Sequence, residues 1–219
     1  MAGPYPGVVP AAPLGGRSLQ VARGFCAGGL AAFACMIVVP LAIQAVQVWA
    51  RFPGAMSAAL QRAPIPLSFV IGGLLAGRAL DIGRRGSMAV ALAMLVTGVI
   101  QSLALGDVGS LTGREDPFVV VAFVASASVG AYAAGGASGA ALLGLNIRKV
   151  CWLAAGFGVA GLLGSLAVVA AFFLVRSGAG AVLGAAFPLA LLVCQAASVL
   201  GPFVASGAAI SRALENGRR

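Results

Sequence analysis

The chain has 219 residues, 61% of them hydrophobic and only 9% charged, with a mean hydropathy of +1.06. Soluble domains carry roughly 25% charged residues, so a water-soluble fold is excluded and a protein whose main partner is the lipid bilayer is expected. The net charge of +9 comes from 14 basic residues scattered in ones and twos, which argues against a nucleic-acid partner, and the absence of histidine argues against His-ligated metals and His-based catalysis.

Residues 1–23 are Pro/Gly-rich and are expected to form a disordered cytoplasmic tail. The apolar run after Arg23 exceeds the roughly 7–15 residues of a signal-peptide core, so it is expected to remain as a mature span. A membrane-crossing helix needs roughly 20 apolar residues, and the chain offers six candidates. They cover 24–50, with Pro40 expected to kink it, then 65–80, 87–105, 118–145, 150–175 and 181–210, the last holding Pro188 and Pro202. The second is short, and Arg78 near its end can snorkel to the headgroups. Between the first two, "RFPGAMSAALQRAP" reads equally as an interfacial helix or a loop. The expected fold is all-α: a polytopic bundle of six transmembrane helices over 24–210, followed by a basic cytoplasmic tail at 211–219.

Orientation comes from the Lys/Arg bias. With the N-terminus in the cytoplasm, ten basic residues fall inside and four (Arg51, Arg62, Arg114 and Arg176) outside. This puts both termini on the cytoplasmic side of an inner membrane. The four cysteines (Cys26, Cys35, Cys151 and Cys194) lie in apolar runs without metal-ligand spacing, and neither a metal site nor a cofactor is expected. A shift of 63 residues aligns Gly72, Gly73, Arg85, Ala91, Gly98, Ser102, Leu103 and Ala104 with Gly135, Gly136, Arg148, Ala154, Gly161, Ser165, Leu166 and Ala167. That would relate spans two and three to spans four and five as parallel hairpins.

One inner turn concentrates charge. In "GGLLAGRALDIGRRGSM", from Gly72 to Met88, Asp81 stands among Arg78, Arg84 and Arg85. Gly73, Gly77, Asp81 and Arg85 are spaced by four and would share a face if the helix ran that far. Flanking cations make a carboxylate at the membrane edge tolerable, and the cluster could act as a charge latch. It reads equally as a cytoplasmic anchor. The turn resembles the loop signature of the major facilitator superfamily, G-x-x-x-D-x-x-G-R-[KR], at Gly77, Asp81, Gly83, Arg84 and Arg85, with only Ile82 where that family has two residues. The resemblance implies one six-helix half of a transporter, completed by a second copy or a partner. "GFGVAGLLGSLA", with Gly156, Gly158, Gly161 and Gly164, is similar to the Gly-rich fifth helix of that superfamily's antiporters, with Ser165 in place of a proline.

The G-x-G-x-x-G within "GFGVAG" lies in an apolar helix with no acid about 20 residues further on, so helix packing explains it better than a dinucleotide. "GGASGAALLG" resembles the serine motif of rhomboid proteases at Ser138, but no histidine exists to activate that serine, and no catalytic residue is assigned. Gly73, Gly135, Gly139, Gly158, Gly161 and Gly164 are read as helix-packing positions. The amides Gln44, Gln101 and Gln195, together with Gln47, either bond between helices or line a solute pathway. The expectation is a non-enzymatic membrane protein that moves a small uncharged or amphipathic solute, working as a homo-oligomer or with other membrane subunits. The alternative is a non-transporting scaffold or accessory subunit.

Overall fold

A computed structural model describes residues 14–50, 54–79, 83–106 and 116–215. Eight helices occupy this range: α1 (Leu14–Ala50), α2 (Gly54–Arg62), α3 (Pro64–Ala79), α4 (Gly83–Gly106), α5 (Pro117–Leu142), α6 (Ile147–Arg176), α7 (Ala179–Leu183) and α8 (Ala186–Glu215). Five of them, α1, α4, α5, α6 and α8, are long and apolar enough to cross a membrane. The sixth segment expected to span, α3, has 16 residues and rises about 24 Å at roughly 1.5 Å per residue, less than the roughly 30 Å hydrocarbon core.

Helix limits have local causes. Asp116 caps α5 by accepting the Phe118 N–H at 2.9 Å, and Pro117 occupies the first helical position, where no N–H is needed. Asn146 caps α6 by accepting the Lys149 N–H at 3.0 Å. Gly83, Gly144, Gly178 and Gly184 all have positive φ and stand at helix boundaries. The expectations for 181–210 and 1–23 shift accordingly. Gly184 separates a short α7 from α8, and α8 runs on to Glu215; α1 starts at Leu14, ahead of the expected boundary at Gly24. The segment after Ala50 does contain a helix, α2. It is tied to α1 by Gln47 Nε2 donating to Ser57 Oγ at 3.1 Å, and to α4 by Ser102 Oγ donating to the Arg62 carbonyl at 2.8 Å.

The five long helices and α3 close into a ring in the order α1, α3, α4, α5, α6, α8 and back to α1. Each neighbour runs antiparallel to the next. Gly28 faces Ala76 and Gly72 faces Ala32; Gly77 faces Ser87 and Gly98 faces Pro66; Gly156 faces Ala209 and Gly164 faces Pro202. The start of α1 and the end of α8 therefore lie at the same end of the bundle.

One pentapeptide pattern recurs once in each ring helix: FCAGG at 25–29, FVIGG at 69–73, MLVTG at 94–98, YAAGG at 132–136, FGVAG at 157–161 and FVASG at 203–207. The bulky first residue of each sits against the closing glycine of an antiparallel partner, and the contact is reciprocal. A Cβ on Gly73 would lie 3.0 Å from Met94 Cβ, and one on Gly98 would lie 3.1 Å from Phe69 Cβ. Gly136 meets Phe157 while Gly161 meets Tyr132, and Gly207 meets Phe25 while Gly29 meets Phe203. The ring is thus three helix pairs (α3–α4, α5–α6 and α8–α1) that repeat one contact scheme. The first two are the pair related by the 63-residue shift. The third joins the two ends of the chain, which is why a linear repeat search sees only two copies.

Without water to drive helices together, association in lipid rests on close packing, which small residues permit. The glycines do this here, and the bulky residues fill the centre. Phe69, Tyr132 and Phe203, equivalent in the three pairs, meet across the ring. Phe69 lies 6.0 Å from Tyr132 and 5.7 Å from Phe203 between ring centroids, and Phe25 lies 6.5 Å from Phe203. All four are fully buried. Tilted and edge-on pairs of this kind are worth roughly 0.5–1.5 kcal/mol each beyond area burial.

Candidate functional site: an apolar cavity with one cation

The aromatic layer lies across the middle of the ring. In the half holding the start of α1 and the end of α8 is a cavity of about 370 Å³. Its walls are Ala89, Val90 and Ala93 of α4, Gly136, Gly139 and Ala140 of α5, Leu153 and Phe157 of α6, and Ile210 and Ala213 of α8. The void has a sequence cause: apart from Val90, α4 and α5 face it with glycine and alanine, so these two helices pack closely and offer little side-chain volume to fill it. A Cβ on Gly139 would already lie 2.9 Å from Ala93 Cβ.

Among the described residues, Lys149 is the one charged residue in the lining. The α5–α6 turn places it. Gly144 adopts φ +66°, the Gly144 N–H donates to the Ala141 carbonyl at 2.9 Å, and the Leu145 N–H donates to the Ala140 carbonyl at 3.2 Å. The chain reverses there, Asn146 caps α6, and the half-buried Lys149 falls in its first turn. A cation in a first turn opposes the helix dipole, which favours an anion at that end.

The described basic residues are distributed unequally. Arg23, Arg78, Arg84, Arg85, Arg148, Lys149 and Arg212 lie in the cavity's half of the bundle, whereas Arg62 and Arg176 lie in the other. Between the far halves of α6 and α8 is a more open crevice of about 740 Å³, walled by Val168, Phe172, Arg176, Leu191 and Gln195. Arg176 stands over the Phe172 ring there, 5.9 Å from its centroid.

Buried hydroxyls are mostly satisfied within their own helices, as with Ser68 on the Pro64 carbonyl at 2.6 Å and Thr97 on the Ala93 carbonyl at 2.9 Å. Among the described residues, Tyr132 Oη and Ser206 Oγ are buried without a hydrogen-bond partner. Both belong to the recurring pentapeptides at the level of the aromatic layer.

The charged turn is only partly described. Residues 80–82, and with them Asp81, lie outside the described residues. Around them, Gly77 is buried against Ser87, where a Cβ would lie 2.6 Å from Ser87 Cα, while Arg78, Arg84 and Arg85 are exposed. Gly73 and Gly77 lie on α3, whereas Arg85 lies on α4, which opens at Gly83 with φ +71°; Asp81, the fourth member of the expected face, lies outside the described residues. Of the packing glycines, Gly73, Gly135, Gly139, Gly161 and Gly164 stand at close helix crossings; Gly158 has ordinary space, its nearest neighbour 3.6 Å from a Cβ. The three amides are not brought together. Gln44 is exposed on α1, Gln101 is half-buried on α4, and Gln195 is on the wall of the crevice. Ser138 donates to the Ala134 carbonyl at 2.7 Å.

Sequence reasoning missed the cavity. Lys149 was legible only as a topology charge, and the signal that could have found the ring interior is the recurring pentapeptide. Fold and site together define a class: an all-helical, membrane-embedded bundle with an apolar cavity in one half. No family model, curated protein or solved structure matches the chain.

Proposed function

We propose that the chain is a six-span protein of the inner membrane, with both termini cytoplasmic, that moves a small uncharged or amphipathic solute through the interior of its helix ring. The observation that carries this reading is the cavity, which four ring helices wall and whose lining is apolar apart from Lys149. A purely structural bundle has no need of such a cavity, since empty space forfeits packing contacts. The excess of cations in the cavity's half supports the cytoplasmic assignment of that end. The transporter-like turn at Gly77, Gly83, Arg84 and Arg85 points the same way. The short α3 would cross by locally thinning the bilayer, with exposed Arg78 reaching the headgroups.

The test is flux in proteoliposomes across a panel of small uncharged and amphipathic solutes. Flux of one class is expected, and Ala213→Phe, which fills the cavity mouth, should abolish it in protein that remains folded and monodisperse. One observation favours the non-transporting reading, namely the open crevice between α6 and α8, which another membrane helix could fill. Absence of flux together with a fixed co-purifying subunit would decide for it.

A further inference from the structure

We infer that the cavity binds a free single-chain amphiphile with one anionic head group, the head on Lys149 and the tail along the α4–α5 wall. This deepens the transport reading and rests on it. The described lining beyond Lys149 carries no charge, and 370 Å³ lies at the small end of the roughly 300–1,000 Å³ usual for ligand pockets, which fits a short or medium-length tail. Lys149 and the first-turn N–H groups of α6 both favour negative charge, and the exposed Arg148 on the same turn adds to the field. A cationic amphiphile would meet all of these as repulsion.

Thermal stability of the protein in zwitterionic nanodiscs, titrated with octanoate, octanol or octylamine, tests the assignment. Octanoate is expected to stabilise most. Lys149→Gln should weaken its apparent affinity roughly tenfold while leaving octanol unchanged, and Lys149→Arg should restore it. Equal response to octanoate and octylamine, or an unaltered octanoate response in Lys149→Gln, overturns the proposal. So does stabilisation by anionic phospholipid to which octanoate adds nothing, because the occupant is then a bilayer lipid. If octanoate binds as expected but no solute is moved, the transport reading falls and the site stands. If uncharged amphiphiles alone are moved, transport stands and the assignment of charge falls.

Discussion

Gly158 and Gly161 lie one turn apart on α6 but face different surroundings. A Cβ on Gly161 would lie 2.5 Å from the Ser128 carbonyl oxygen, a backbone atom that cannot move alone, whereas on Gly158 the nearest neighbour is at 3.6 Å. Gly161→Ala is therefore expected to destabilise by about 1–3 kcal/mol through overpacking. Gly158→Ala should be neutral or gain about 0.5–1 kcal/mol from the lower cost of ordering alanine in a helix. Reversible unfolding in bicelles separates the two. Tyr132 gives the opposite kind of test. Its hydroxyl is buried with no partner, a cost of about 1–3 kcal/mol where it occurs. Tyr132→Phe keeps the ring that packs on Phe69 and should raise thermal stability. A gain in stability accompanied by a loss of solute flux would assign the hydroxyl to the pathway.

At the scale of the helix, boundaries follow glycine more than hydropathy. Gly83 has φ +71° and open space around a Cβ, so Gly83→Ala tests backbone strain alone. It should cost roughly 1–2 kcal/mol, and Gly83→Asn, which tolerates this conformation better, should cost less; thermal denaturation of the two variants checks the order. The apolar runs were legible because bilayer thickness imposes a length on them, and α4, α5 and α6 lie close to their expected limits. Hydropathy could not show the break at Gly184, since Ala181–Leu183 is as apolar as the first turns of α8. It also could not show that α1 begins at Leu14, because a helix continues past the membrane edge without a change in apolar content that would mark it. The cavity was illegible for a related reason: glycine and alanine read the same whether two backbones touch or a space lies between them. Only knowing which helices are neighbours separates Gly161 at a crossing from Ala140 on the cavity wall.

For the molecule as a whole, the contact scheme makes the chain ends interchangeable with a loop. Pairs α3–α4 and α5–α6 are each joined by a short connection in the cavity's half of the bundle; pair α8–α1 has the same contacts without a connection there, the end of α8 and the start of α1 lying side by side. If packing rather than connectivity holds the ring, moving the gap from one pair to another should leave the fold intact. A permutant that links residue 219 to residue 1 and opens the chain between Ala79 and Gly83 closes pair α8–α1 and opens pair α3–α4. Its termini remain at the cavity's end. It is expected to insert, to elute as a monodisperse species and to melt within a few degrees of the parent. Cysteines placed at its new ends should label from the same side as cysteines placed at the parent's termini. A permutant opened inside α5 at Gly136 breaks a reciprocal contact instead and should fail to accumulate. Equal failure of both would mean that the α3–α4 turn, with its charged residues, is needed to assemble the bundle, and that the three pairs are alike in contact but not in folding.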